Sequence, residues 1–301
     1  TVGGDTNGDG TATSPAKGDW QGISVYGPDG SLTLGHAVAR YMSGGLTGSS
    51  LSAVTVTDST FEHVGYGLYV SASKAIVVSG NTVSDSAGTG IAVVQNGFVT
   101  NTALSTTTVT NNTVNGVRSG NGITVDALPP SNPAALANVP GPTVAGNTIK
   151  NVSGSNFDST TPTSGVALSV SAWSLLPARL TGNTGTGNTV NALVLVGTLK
   201  ADLTLPVAGL PVIIGSGHTG DYIEHGLVVA SGATLTLNAG AVLKFDTYIN
   251  AWWGVYSSLT VSGSLVANGT SDAPVVFTSL RDDTVGGDTN GDGTATSPAK
   301  G

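Results

Sequence analysis

The stretch "DTNGDGT", Asp5 to Thr11, places oxygen-bearing side chains at alternate positions. Asp5, Asn7 and Asp9 occupy positions 1, 3 and 5 of a calcium-binding loop, Gly10 gives the sharp turn at 6, and Thr11 offers a carbonyl at 7. Hard oxygen donors in this order suit Ca²⁺ rather than Zn²⁺. The pattern departs from a helix–loop–helix calcium site. Position 12 is Ala16 instead of a bidentate Glu, and no helical pattern flanks it. Asp19 could supply the missing carboxylate. The plainer alternative is a Gly-Asp-Asn surface turn holding no ion.

The same loop occurs twice. Residues Thr1–Gly18 return unchanged as Thr284–Gly301, so Asp288, Asn290, Asp292 and Thr294 repeat the ligand set 283 positions on. Arg281, Asp282 and Asp283 run into the second copy, while Asp19 and Trp20 run out of the first. In an array, Asp282 and Asp283 would approach the loop from its upstream flank. We read the chain as a single repeat unit, residues 1–301, that is one 283-residue period of a tandem array plus an overlap. Its expected partners are adjacent identical repeats, end to end.

Elements must hold these loops in place, and composition says which. Of 301 residues, 44 are Gly, 9% are charged and 39% are hydrophobic. β-Branched residues punctuated by Gly, Asn and Ser argue for many short strands, hence an all-β fold. A net charge of −8 with ten Lys and Arg makes nucleic acid an unsuitable partner. No apolar run reaches membrane-spanning length, so this segment is expected not to insert in a bilayer. The absence of Cys removes disulfides and thiolate metal sites.

From Leu51 a phrase recurs: an alternating apolar strand, a polar corner, then Thr followed by a small apolar residue. Aligning the corners gives Ser59, Asn81, Asn112, Asn147 and Asn183, at steps of 22, 31, 35 and 36. The shortest step suits one turn of a three-sided parallel β-solenoid, and the longer ones suit the same turn with loop insertions. Period-2 alternation would turn Val, Ile and Leu inward. The corner Asn residues would superpose, take the left-handed backbone of a sharp corner, and bond to one another along the stack. In the C-terminal third, "ATLTLNAGAVLKF" and "SSLTVSGSLVANG" align Leu235 with Leu259, a step of 24. On that reading ten coils give ~50 Å of rise per period.

"LTLNAGAVLKF", "DAPVVFTSLRDD", "GDWQGI" and the Asp-rich loop resemble right-handed parallel β-helix modules of large bacterial surface proteins. The Asn-Thr-Val coils resemble the broader pectate-lyase-like superfamily. The resemblance implies a right-handed parallel β-helix in an extracellular or cell-surface setting in bacteria.

Two segments fit the coils poorly. Residues 126–144, rich in Pro, read as an inserted loop, and 199–226 as irregular coils or a small side module. Other chemistry is sparse. Trp252 and Trp253 are adjacent, so they cannot both face inward on one strand. Trp173 stands alone. Asp58, Glu62, Asp85, Asp126 and Asp158 are scattered, and Glu62-His63 and Glu224-His225 are the acid–His neighbours, which strand geometry points to opposite faces. His36 and His218 stand singly. No catalytic constellation emerges, and the expectation is a non-enzymatic structural repeat of a fibre, stalk or adhesin, stiffened by Ca²⁺. The alternative is a carbohydrate-binding or polysaccharide-degrading module with a surface polysaccharide as partner.

Overall fold

In the computed structural model, the described residues are 4–95, 106–127, 140–154, 164–205, 209–215, 226–245, 247–249 and 254–298. Apart from one short 3-10 helix, Pro177–Arg179, the regular elements among them are strands. Every strand pair is parallel except the hairpin Thr247–Ile249 with Gly254–Tyr256. Parallel neighbours separated by one coil of chain make this a β-solenoid.

The first side is the longest. Ten strands follow one another along it, from Ile23–Tyr26 to Val276–Ser279, as the count of coils anticipates. A second side carries Ser31–Gly35, Thr106–Thr110 and Thr143–Ala145. The long strands Leu46–Thr57 and Leu68–Ser79 turn through register shifts from the first side onto the second. A third side stacks Val38–Arg40, Thr60–Val64, Thr82–Ser86, Thr113–Val117, Thr148–Val152 and Thr184–Thr186. Alternation decides the interior: Val54, Val56, Ile76, Val78, Val109 and Val144 are all essentially inaccessible, with Thr or Ser between many of them outside. Stacking is what buries these faces, since no coil covers its own.

The corner ladder forms as the spacing predicts. Asn112 Oδ1 accepts the Asn81 backbone N–H at 3.0 Å and its Nδ2 at 3.1 Å, while Asn112 Nδ2 donates to Val78 O and to Asn147 Oδ1. Asn147 and Asn183 repeat the pattern; the Ser59 N–H donates to Asn81 Oδ1, and Ser59 Oγ takes the place of the amide by accepting the Ala37 N–H at 3.0 Å. These side chains are buried, so each amide satisfies backbone groups that the corner would otherwise orphan.

One detail is corrected. The left-handed residue is the one before each corner position: His36 before Ala37, Asp58 before Ser59, and Gly80, Asn111, Gly146 and Gly182 before the four Asn residues, with φ from 49° to 72°. A second left-handed column, at the same steps, runs through Tyr41, His63, Asp85, Gly116, Asn151 and Gly187. The ladder Asn itself is free to point inward because its predecessor absorbs the bend.

The C-terminal register is also corrected. Leu235 pairs with Leu203 and Leu265, and Leu259 pairs with Leu227, so the two leucines lie on different sides and the coil steps are 30 and 32. Two strands stand inside the segment expected to be irregular: Leu203–Leu205 pairs with Leu235–Leu237, and Val212–Ile214 with Leu193–Leu195. The Pro-rich segment likewise begins and ends in regular strands, at Asp126–Ala127 and Thr143–Ala145, its middle lying outside the described residues.

Candidate metal centre

Each copy of the duplicated loop folds by its own hydrogen bonds. Asp5 Oδ1 accepts the Asp9 N–H at 3.2 Å and Oδ2 accepts the Gly10 N–H at 2.8 Å. Asn7 Nδ2 donates to Asp9 Oδ2 at 2.9 Å, and the Thr13 hydroxyl donates to the same oxygen. The second copy repeats the set through Asp288, Asn290, Asp292 and Thr296. The hydroxyl that joins the loop is that of Thr13 and Thr296, two residues beyond the Thr11 and Thr294 whose carbonyls the spacing singles out. Asp19 is also redirected: its Oδ2 accepts the Ala16 N–H at 2.8 Å and closes the turn ahead of the first strand.

Environment separates the copies. In the first, Asn7 is exposed. In the second, Asn290 is fully buried, because the chain after Ser279 folds back over the outer surface of the first side. Leu280 seats this return in a patch formed by Val166, Val190, Ala192, Val194 and Ile213. Gly291 lies so close to the Thr189 carbonyl that a Cβ would meet it at 2.2 Å. Lys244 points outward beneath the returning chain and is 3% exposed, and its ammonium donates to Asp282 O at 2.8 Å and Gly287 O at 2.6 Å.

Ligand atoms of Asp283, Asp288 and Asp292 all lie within 4.8 Å of one another, the one such group of three among the described residues. Asp283 Oδ1 and Asp292 Oδ1 are buried without a hydrogen-bond partner. Desolvation, reinforced by the negative charge of Asp288 and Asp292, holds the Asp283 carboxyl above the usual carboxylate range. Burial pushes the Lys244 ammonium down, opposed by Asp283, Asp282 and Asp288. One ammonium against three converging carboxylates leaves surplus negative charge and two unpaired oxygens, a donor set that fits a hard divalent cation. Of the two flanking acids, Asp283 joins the loop and Asp282 does not. Asp282 accepts from the Thr278 hydroxyl at 2.5 Å and from the Thr284 N–H at 3.1 Å and hydroxyl at 2.5 Å. Those bonds hold its carboxyl below the ordinary range.

A second polar cluster escaped the sequence reading. Asp85 meets His63 Nδ1 at 2.7 Å, Arg118 at 2.6 Å and Lys17 at 3.5 Å, and Lys17 also donates to the Asp85 carbonyl at 2.8 Å. Tyr41 stacks on His63 with ring centroids 5.2 Å apart. The His63 contact, chiefly, holds the Asp85 carboxyl below its ordinary value. The sequence carries the signal: Tyr41, His63 and Asp85 are each 22 apart, one coil, whereas attention to chain neighbours paired His63 with Glu62. Glu62 bridges Arg40 instead, at 2.8 Å.

The remaining candidates stay apart. Trp20 donates its indole N–H to Arg40 O at 2.7 Å, and the Lys200 ammonium stands 5.2 Å from the Trp173 ring centre. Asp126, on the outer surface of the first side, keeps an edge in solvent yet is crowded by protein, and burial pushes its carboxyl up to about 6. Asp158, His218, Glu224, His225, Trp252 and Trp253 lie outside the described residues.

The family model described as the right-handed beta helix region matches residues 18–204, more than half of the chain. No curated protein and no solved structure matches it.

Proposed function

The chain belongs to the right-handed β-helix family, and we propose that it serves as a structural repeat: one period of an extracellular bacterial β-solenoid fibre, stalk or adhesin, stiffened by Ca²⁺ where periods meet. The observation that carries this reading is the second copy of the duplicated segment. It is strapped to the solenoid wall by Leu280, Lys244 and Gly291, and its Asp288 and Asp292 face Asp283, which belongs to the coil before it. A cation there would join the loop to the wall. Asp283, Asp288 and Asp292 would hold the ion, and its charge would offset a carboxylate repulsion that the fold otherwise bears.

Chelation tests this. Removing Ca²⁺ should lower the melting temperature and expose residues 284–298 to protease while leaving the far-ultraviolet strand signal intact at low temperature. No calcium dependence would remove the metal and leave the fibre.

A second reading, carbohydrate binding, is favoured by Tyr66 and Tyr69, both exposed beside Thr47: the Tyr66 hydroxyl bonds to Thr47 and Tyr69 pairs with it across the strands. Retention on a polysaccharide column, lost in Tyr69→Ala, would support it. Falling viscosity of an added polyanion would support depolymerisation.

A further inference from the structure

We infer that consecutive blocks join through one specific strand pair: Ile23–Tyr26 of one block lies in parallel on Val276–Ser279 of the block before it, with Ser24 beside Thr278. This rests on the repeat reading and fixes its register.

The two strands are the opposite edges of one sheet. Following the pairing from coil to coil, Ser24 leads through Thr47, Tyr69, Ala92, Thr124, Ser169, Val194, Ile213 and Lys244 to Thr278. The neighbouring column runs from Val25 to Ser279. Residues that face the interior elsewhere are left open on the last coil. Phe277 is 45% exposed and Leu265 42%, although their partners Leu243 and Leu235 are buried. At the other end Ile23 and Val25 are only partly covered. A second copy placed in this register sets Ile23 over Phe277. It removes both open edges, which are otherwise templates for uncontrolled strand addition.

The duplicated segment displays the two halves of the joint separately. Its upstream half is seen in the second copy, anchored to the wall through Lys244 and Thr189. Its downstream half is seen in the first copy. There the Gly18 N–H donates to Tyr41 O at 3.0 Å and Lys17 reaches Asp85. An intact joint combines them, and the connection is long enough. Thr189 precedes the strand carrying Leu193, and four strand spacings of ~4.8 Å, about 19 Å, separate that coil from the incoming Ile23–Tyr26. The ten residues from Gly291 to Gly301 span up to about 33 Å.

The test is a chain of two consecutive blocks with Thr278→Cys in the first and Ser24→Cys in the second, compared with Thr278→Cys paired with Ser31→Cys of the second. The protein has no Cys, so any disulfide is the engineered one. Stacked strands bring Cα atoms within disulfide range. Mild oxidation should consume both thiols in the Ser24 pair and leave them free in the Ser31 pair. Small-angle scattering should show a rod ~48 Å longer than one block. A rod without the Ser24 disulfide, or with the Ser31 one, overturns the register and leaves the fibre reading. Two independently tumbling particles overturn both.

Discussion

Eighteen identical residues fold in two surroundings, and the contrast separates what a loop does alone from what its setting adds. Both copies make the same Asp-to-backbone and Asn-to-Asp hydrogen bonds. That geometry is local, carried by short polar side chains closing on their own backbone. Burial is not local. Asn7 is exposed and Asn290 is not, and in the second copy the Asp283 carboxylate stands beside those of Asp288 and Asp292. A ligand-like motif supplies a shape; the coil before it supplies the missing charge.

The sharpest way to break this contrast is to cut the two anchoring lysines. Lys244→Ala removes a buried ammonium facing carboxylates and should cost about 3 kcal/mol in urea unfolding, releasing residues 284–298 to protease. Lys17→Ala, at a part-exposed pair, should cost less than about 1 kcal/mol. Equal effects would mean that the second copy is not strapped down.

Asp126 separates desolvation from clustering. Its carboxyl, like that of Asp283, is raised, but by burial alone. A folded value of about 6 against 3.8 when unfolded means the native state holds the proton more tightly. Stability therefore falls as pH rises from 4 to 6 and stays reduced above. Asp126→Asn should gain up to about 3 kcal/mol at pH 7, nothing at pH 3, and be indifferent to Ca²⁺. A Ca²⁺ response at Asp126 would blur the distinction.

Glycines offer a smaller, matched comparison. Gly8 and Gly291 share φ near 70°, yet a Cβ on Gly8 meets nothing within 4 Å. Gly8→Ala should cost about 1 kcal/mol of left-handed strain. Gly291→Ala should add a clash with the Thr189 carbonyl and loosen the strap, for about 2 kcal/mol in all. A comparably small effect is on the ion. Asp283→Asn should weaken terbium binding by about tenfold, roughly 1.4 kcal/mol, while Asp5→Asn leaves the tight site unchanged. Two equal sites per chain would contradict the account.

The ladder was legible because a buried amide that must satisfy backbone groups on the next coil admits little besides Asn at 81, 112, 147 and 183. The left-handed columns were not, since His36, Asp58, Gly80 and Asn111 all tolerate that backbone and leave no common letter. The C-terminal register slipped for a related reason. Leu-Xaa-Leu/Val alternation serves two sides of one coil equally well, so Leu235 and Leu259 matched in pattern while lying on different sides. Oxygen donors in the duplicated loop were readable as types, but the choice between Asp282 and Asp283 depended on Thr278 and Thr284 capturing the former. The Asp85 cluster shows the same limit: in a solenoid a residue's partner is one coil away, and the coil length must be known first.

The central claim is that backbone ladders run unbroken from block to block along one axis. Cryo-electron microscopy of a chain of several blocks measures this directly through its axial repeat. Ten coils per block at ~4.8 Å predict a rod of constant width repeating every ~48 Å. Beads separated by gaps, or a repeat that is not close to ten strand spacings, would contradict it.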